Sequence, residues 1–593
     1  MLQRHGDNAG ASICRREPVQ KASSARRLTT VCLFTLPGEL RNSHVTDYSQ
    51  CLKEGYDSRP DAESTSRGLF RRQTHSTPVT GAVDGGVQLR QPVQRLQADA
   101  DAWNMYILGL TRMMQVAEAN DLSYYQISGI HGLPHIPWQE PASDSQDTDY
   151  GYCTHASGLF GTWHRPYVAL FEQRVVFHAV SEAGKFADPD RSRYVAAAQR
   201  VRLPYWDWSV DNSRIPSIVM QTTISVVSPD SSGRAQRTTI RNPLYSYRFT
   251  NQAFKNEYFS GLYQQAAETL RQPTSPRTSQ NNVANAAMMQ NYDTRRQNTY
   301  NLFSIPSFAE FSSTAVSASG APNTWTSVES IHNQVHASVG GTTPGLMGHM
   351  SLVDLSSFDP IFWMHHANVD RLVAIYQAIY PNRRVTPQPA TPVFARRVQP
   401  GDMDTIDTPL WPFKKPNGQY YTSRDVSSAS SIWGLGYAYP EVPAEYSGRS
   451  AAELSSFAAG RVNALYAPSS RATKRAATTK RREWLCHFVF IPAEVGSTAE
   501  LDVYFKGANL TTINANGNRE QYVGGGAALG KLKYTDHDKT MKITAAVPLT
   551  VALENDGVDT NNIVGVVRHL KDNLTWVMRK VFPPSIPVKV KAY

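Results

Sequence analysis

The stretch Phe358-Asp359-Pro360-Ile361-Phe362-Trp363-Met364-His365-His366-Ala367-Asn368-Val369-Asp370-Arg371-Leu372 decides how the rest of the chain is read. Asp359 is placed to cap a helix and Pro360 suits its first turn, so a helix is expected from Pro360 to Tyr380. Two adjacent histidines inside an apolar helix are poor packing material, because buried imidazoles need partners. One metal ligand beside a supporting neighbour satisfies that need.

Upstream, Ser327-Val328-Glu329-Ser330-Ile331-His332-Asn333-Gln334-Val335-His336 places His332 and His336 four residues apart. On a helix over Ser327–Ser338 they share one face, a spacing that suits a pair of metal ligands. Further upstream are His131 in Gly129-Ile130-His131-Gly132-Leu133-Pro134, His155 in Cys153-Thr154-His155, and His164 in Trp163-His164-Arg165-Pro166-Tyr167. Two sets of three histidines make two all-imidazole sites. Imidazole suits copper, zinc, iron and nickel, and the lack of evident carboxylate or thiolate ligands disfavours magnesium and structural zinc.

The segments 129–134, 153–172, 329–336 and 358–372 together resemble the two copper motifs of tyrosinases, catechol oxidases and molluscan hemocyanins. The resemblance covers roughly 80–440, and more weakly the tail; Gly161 departs from it, standing where a bulkier apolar residue is usual. It implies a mainly α core, a four-helix bundle carrying a type-3 dicopper centre with O2 as co-substrate. By the same resemblance His131, His155 and His164 hold the first copper, and His332, His336 and His366 the second, with His365 in support. Cys153 matches the cysteine of a Cys–His thioether cross-link to His155. Glu329 and Asn333 match a pair that holds a water to deprotonate monophenols, and Phe362 matches an aromatic substrate gate near the second copper.

The implied reaction is ortho-hydroxylation of monophenols and oxidation of o-diphenols to o-quinones, serving melanin or other pigment formation. A catechol oxidase or o-aminophenol oxidase, or a hemocyanin-like O2 carrier, would share the same ligands. The resemblance further implies a latent form in which a C-terminal β-sandwich plugs the pocket with an aromatic side chain. Asp502-Val503-Tyr504-Phe505-Lys506-Gly507 is the expected plug segment, with Phe505 preferred over Tyr504.

The organisation expected is an N-terminal extension over 1–76, disordered or a propeptide, a catalytic domain over 77–440, a cleavable linker over 441–482 and a β-sandwich over 483–593. Helices are also expected over Val93–Ala119 and Trp163–Ser181, followed by an aromatic loop, Leu203–Trp208. In the tail, Trp484–Ile491, Leu501–Phe505, Met541–Leu549 and Ile563–Val567 read as strands. Lys474-Arg475 and Lys480-Arg481-Arg482 in the linker suit a processing protease.

Composition excludes several classes. The net charge of +10 over 593 residues is concentrated in the N-terminal stretch and near 471–482, which argues against a nucleic-acid-binding domain. Five cysteines, Cys14, Cys32, Cys51, Cys153 and Cys486, are too few and too scattered for a disulfide framework. No apolar run of about 18 residues suggests a membrane span. No clear signal peptide is present, and secreted and cytoplasmic locations both stay open. Sequons occur at Asn509 and Asn573. His135, His178 and His349 are read as structural, as are Asp370 and Arg371.

Overall fold

The computed structural model describes residues 31–36 as backbone only and residues 76–140, 150–314, 326–391, 395–399, 401–467, 482–505, 522–534 and 541–579. Four helices frame the core: α1, Ala100–Met114; α2, Phe160–Ala183; α3, Val328–Gly340; and α4, Ile361–Ile379. Every residue of α3 and α4 is buried, so these two are central elements and not surface amphipaths. Ser327 and Ser330 close a reciprocal cap at the start of α3, and Gly341 ends it at a φ of 90° that a side chain would strain. At the start of α4, Asp359 accepts from the Ile361 amide and pairs with Arg271 at 2.6 Å. The expected helices are therefore present with their ends shifted by a few residues, except that Val93–Ala119 is two helices, Val93–Ala98 and Ala100–Met114, broken at Asp99, which caps the second.

A buried charge network fastens α2 to α4. Asp370 on α4 receives Arg165 from α2 at 2.7 Å and Arg90 at 3.1 Å, while Arg90 also pairs with Glu172 of α2 at 2.8 Å. Tyr437 and Tyr439 donate their hydroxyls to the same carboxylate, and Tyr437–Ala438 pairs in parallel with Gln88–Leu89, tying both ends of the core together. The two arginines hold the Asp370 carboxyl below its usual range against the opposing effect of burial. Asp370 and Arg371 thus have the structural roles expected of them, Arg371 pairing with Glu441 and Asp207.

The segment expected as linker, 441–482, is largely folded onto the core. Helix α5, Ala451–Tyr466, buries Leu454, Ala458, Val462 and Tyr466, and the Tyr466 hydroxyl donates to Asp207. Its Ala/Ser composition resembles a linker, but the four-residue apolar spacing and the Ser450–Glu453 capping box are helix signals. The basic cluster Lys474-Arg475, together with Lys480 and Arg481, lies outside the described residues.

The tail holds two three-stranded antiparallel sheets. One joins β1, Val31–Leu36, β2, Glu483–Phe490, and β5, Ile543–Pro548. The other joins β3, Ala499–Phe505, β4, Tyr522–Ala528, and β6, Leu574–Arg579. Trp484, Cys486, Phe488 and Phe490 alternate along β2 into an apolar cluster that also takes Leu501, Val503 and Phe505. Two expectations need correction. Residues 31–36 form a strand against β2, so the N-terminal extension is not uniformly without structure. Ile563–Val567, read as a strand from its β-branched residues, belongs to helix α6, Ile563–Asn573, because Val566 and Leu570 four residues apart pack into the tail cluster.

No helix among the described residues is long and apolar enough to cross a membrane.

Replacing Asp370 by Asn leaves Arg90 and Arg165 buried without their shared anion. We expect the unfolding free energy to fall by about 3–5 kcal/mol, measured by chemical denaturation.

Candidate metal centre

Two groups of donor atoms meet at the middle of the bundle. His131, Cys153, His155 and His164 form one, and His332, His336, His365 and His366 the other; within each group the donor atoms all lie within 4.8 Å of one another. His164 sits on α2, His332 and His336 on α3, and His365 and His366 on α4, while His131 and His155 come from the loops before α2. All six histidines expected as ligands are buried. The two groups adjoin, with His164 and His366 rings stacked at 4.5 Å and the His332 and His366 Nε2 atoms 3.1 Å apart.

What the rings do with their other nitrogen separates ligands from supports. Nδ1 of His131 donates to the Val353 carbonyl at 2.8 Å, that of His164 to Phe160 O at 2.8 Å, and that of His336 to Met350 O at 2.6 Å. Nδ1 of His155 faces Glu329 Oε1 at 3.1 Å, and Nδ1 of His332 faces Asn333 Oδ1 at 3.0 Å. An oxygen acceptor at Nδ1 fixes the proton there and leaves Nε2 with a free lone pair, the tautomer a metal ligand needs. Nε2 of His131 and of His336 is buried with no hydrogen-bond partner and free to take a cation; Nε2 of His178, His349 and His365 is likewise orphaned, so the partner at Nδ1 is what distinguishes the rings.

His365 is the opposite case. The Trp208 indole N–H, which can only donate, reaches His365 Nδ1 at 3.0 Å. The neutral ring then carries its proton on Nε2 and has no lone pair to offer inward. His366 receives no such donor, and its Nε2 is the one facing His332. The residues present therefore fit two metal ions held by three imidazoles each, with His365 in support.

Burial disfavours the imidazolium, so His131, His164, His332 and His366 are held well below the ordinary histidine range, and His336 is lowered to about 3. Neighbouring histidines push the same way. These five imidazoles, held neutral at pH 7, leave the charge of a bound metal uncompensated, which favours anionic ligands.

Glu329 has a task beyond the one its position suggested. Oε1 accepts from the Ala156 amide at 2.7 Å and faces His155, while Oε2 accepts from the Thr314 amide at 2.8 Å and hydroxyl at 3.0 Å. Its lone pairs are already engaged, so it orients His155 and ties the loop before α2 to α3. Asn333 differs, for its Nδ2 is buried without a hydrogen-bond partner. Phe362 lies over His366, ring centroids 4.0 Å apart, and edge-on to His131 at 5.0 Å. Cys153 is fully buried with Sγ 3.4 Å from His164 Nε2. Burial raises its thiol well above the usual range.

The two aromatics expected as the plug make ring contacts within the tail. Phe505 packs into the tail's apolar cluster, which also takes Ala156 and Val353 of the core; its ring is 5.3 Å from His569, and the Tyr504 ring lies 5.4 Å from Tyr522. Lys506 and Gly507 lie outside the described residues. Among the tail strands that lie against the core is the glycine-rich β4. Gln334 on α3 donates to Gly525 O, and Thr294 donates to Val523 O at 3.1 Å. A Cβ on Gly524 would stand 1.9 Å from the Thr294 hydroxyl, so only glycine permits this approach.

Sequence reasoning missed the Trp208 donor and the carbonyls of Met350 and Val353. The aromatic run Leu203–Trp208 was visible but had no assigned partner, and a carbonyl leaves no mark in the residue type.

A family model described as the common central domain of tyrosinase matches residues 121–379. A tyrosinase from Podospora anserina is 37% identical over 419 residues, covering 68% of this chain and 71% of that one. A tyrosinase from Neurospora crassa is 36% identical over 383 residues, and the match spans about half of that protein, 54%, and 61% of this chain. A mushroom tyrosinase solved with latent and active forms in one crystal is similar at a TM-score of 0.73 and 25% identity, covering 86% of this chain and 93% of that one.

Two outcomes follow, one for the metal-free protein and one for copper binding. Below pH 6.5 the unfolded chain binds protons that the buried imidazoles refuse, so stability falls as the pH drops from about 6.5 toward about 3. Denaturant titrations at pH 7.5 and 5.5 should differ by about 1 kcal/mol for each such imidazole. Glu329→Gln removes the anion facing His155, and copper affinity in a chelator competition should fall about 10- to 100-fold.

Proposed function

The chain belongs to the tyrosinase family, and on that premise we propose that it ortho-hydroxylates monophenols, oxidises o-diphenols to o-quinones, and is made in a latent form restrained by its tail domain. It is an oxidoreductase of the tyrosinase and polyphenol oxidase kind, acting on phenols, and its cofactor is a pair of copper ions. The copper pair, when bound, supplies O2 binding and the two-electron oxidation of the phenol.

The observation that carries the reading is the orientation of the rings. Oxygen acceptors stand at Nδ1 of five of the six imidazoles assigned as ligands. The proposed ligands are His131, His155 and His164 for one copper and His332, His336 and His366 for the other. The chain's remaining contribution is positioning and dryness. Phe362 offers an aromatic face beside His366 for the substrate ring, and burial of the centre excludes bulk water. The Asn333 amide donates to the phenol oxygen or to a water beside it, which favours release of the phenolic proton. Glu329 keeps His155 in place and supplies the local negative charge that the departing proton senses. A Cys153–His155 thioether belongs to the same proposal.

Latency is supported by the way the tail closes on the core. The Asn298 side chain donates to Ala546 O at 2.8 Å and Asn291 to Glu500 at 2.9 Å, alongside the β4 contacts with α3. The latent form in the mushroom tyrosinase's title points the same way for that protein. A protease acting at the basic residues between 468 and 481, which lie outside the described residues, would sever the tail from α5. Pigment formation of the melanin kind is the role we attach to the activity.

The test is an assay of the copper-loaded chain with a monophenol and a catechol, before and after limited proteolysis. We expect both to be oxidised, with activity rising after cleavage. Oxidation of the catechol alone would make the protein a catechol oxidase, and reversible O2 binding without turnover would make it a carrier. Gly524→Leu should raise the activity of the uncut chain by wedging β4 away from Thr294; unchanged activity would show that docking of β4 does not restrain the enzyme.

A further inference from the structure

The short segment Met350–Asp354 has two sets of attachments, and they belong to different domains. On its inner side the Met350 carbonyl holds His336 Nδ1 at 2.6 Å and the Val353 carbonyl holds His131 Nδ1 at 2.8 Å. One segment therefore orients one imidazole from each group of donors. On its outer side the tail grips the same five residues. The Thr498 hydroxyl donates to Ser351 O, the Val353 amide donates to Gly530 O at 3.0 Å, and the Leu532 amide donates to Asp354 Oδ2 at 2.7 Å. Thr498 also accepts from the Gly530 amide at 2.7 Å, so its hydroxyl joins the two tail strips that hold the segment.

The core holds the segment as well. Apart from the imidazoles, Asp354 O accepts from the Leu133 amide at 2.9 Å, the Asp354 carboxylate meets His135 at 3.0 Å, Ser351 donates its hydroxyl to Gly341 O and its amide to Gly348 O at 3.0 Å, and Leu352 O accepts from the Leu355 and Ser356 amides. The flanking elements are single 3-10 turns, His349–Ser351 and Ser356–Phe358, without a helix ladder of their own. The tail thus adds bonds at Ser351 O, the Val353 amide and the Asp354 carboxylate to those of the core, on residues that flank or carry the 350 and 353 carbonyls.

We infer that the tail domain is part of the shell that orients the metal ligands: through Thr498, Gly530 and Leu532 it fixes the Met350–Asp354 segment and so the rings of His336 and His131. Thr498 is a positioning residue, acting on the centre through Ser351 and not by touching substrate or metal. This rests on the dicopper reading given above and adds a consequence to it: the tail is an element of copper retention, as well as a cover. Releasing the tail loosens one ligand of each copper at the moment the pocket opens. Supporting hydrogen bonds of this kind typically contribute 10- to 100-fold in metal affinity.

The experiment is copper transfer from the full-length, copper-loaded chain to a strong competing chelator, followed by the chelator's absorbance. Unaltered chain, Thr498→Val and Thr498→Ser are compared, each first analysed for copper per chain and for its thermal unfolding midpoint. Valine keeps the shape of threonine and removes both hydrogen bonds, whereas serine keeps the hydroxyl. We expect Thr498→Val to release copper about tenfold faster, and Thr498→Ser to stay within about twofold of the unaltered chain. If Thr498→Val does not accumulate, Leu532→Pro removes the amide donated to Asp354 and should also speed release. Equal release rates from chains that each carry two coppers would overturn the inference and leave the dicopper centre standing. An unaltered chain that binds no copper would overturn both.

Discussion

Everything at the centre of this fold follows from burying many neutral imidazoles next to one another. A buried imidazole with an unassigned proton can point either nitrogen inward, and a cluster of them would be electrostatically and geometrically undefined. The chain resolves this by placing an oxygen at Nδ1 of ring after ring: three backbone carbonyls, the carboxylate of Glu329 and the amide of Asn333. The exception proves informative, since the donor from Trp208 turns His365 into a support and leaves His366 as the ring that completes the second set.

Holding those oxygens still requires the rest of the architecture. The Asp370 network fixes α2 against α4 from below, so His164 and His366 keep their stacked contact. The α5 helix and Glu441 secure the far end of α4 through Arg371. Glu329 fastens the loop carrying His155 to α3, and the Met350–Asp354 segment does the same for His131 and His336. The tail domain enters this scheme twice, by laying the glycine stretch 524–526 of β4 against α3 and its neighbours and by gripping that last segment. Shielding and ligand support are therefore two effects of one docked surface.

Much of this was legible in the residues. The four histidine-bearing segments fixed the bundle and the donors because a helix spacing of four and a His-His pair in an apolar run leave few alternatives. What stayed hidden had physical reasons. The α5 helix hid in an Ala/Ser-rich stretch whose capping box and apolar spacing were outweighed by composition. The strand reading of Ile563–Val567 followed β-branched propensity, which tertiary packing of Val566 and Leu570 overrode. Attention went to the aromatic residues of β3, whereas the docking of β4 on the core owes its closeness to glycines, which offer no side chain to notice. Carbonyl supports at Met350 and Val353 depend on backbone direction alone, so no residue type announces them.

The most direct test of the account is copper stoichiometry in two single variants of neighbouring residues, His366→Ala and His365→Gln, determined by elemental analysis of the full-length chain. Glutamine preserves an acceptor for the Trp208 indole, so His365→Gln should keep two coppers per chain, while His366→Ala should keep one. Loss of copper from His365→Gln with full occupancy in His366→Ala would contradict the assignment and the tautomer argument on which it stands.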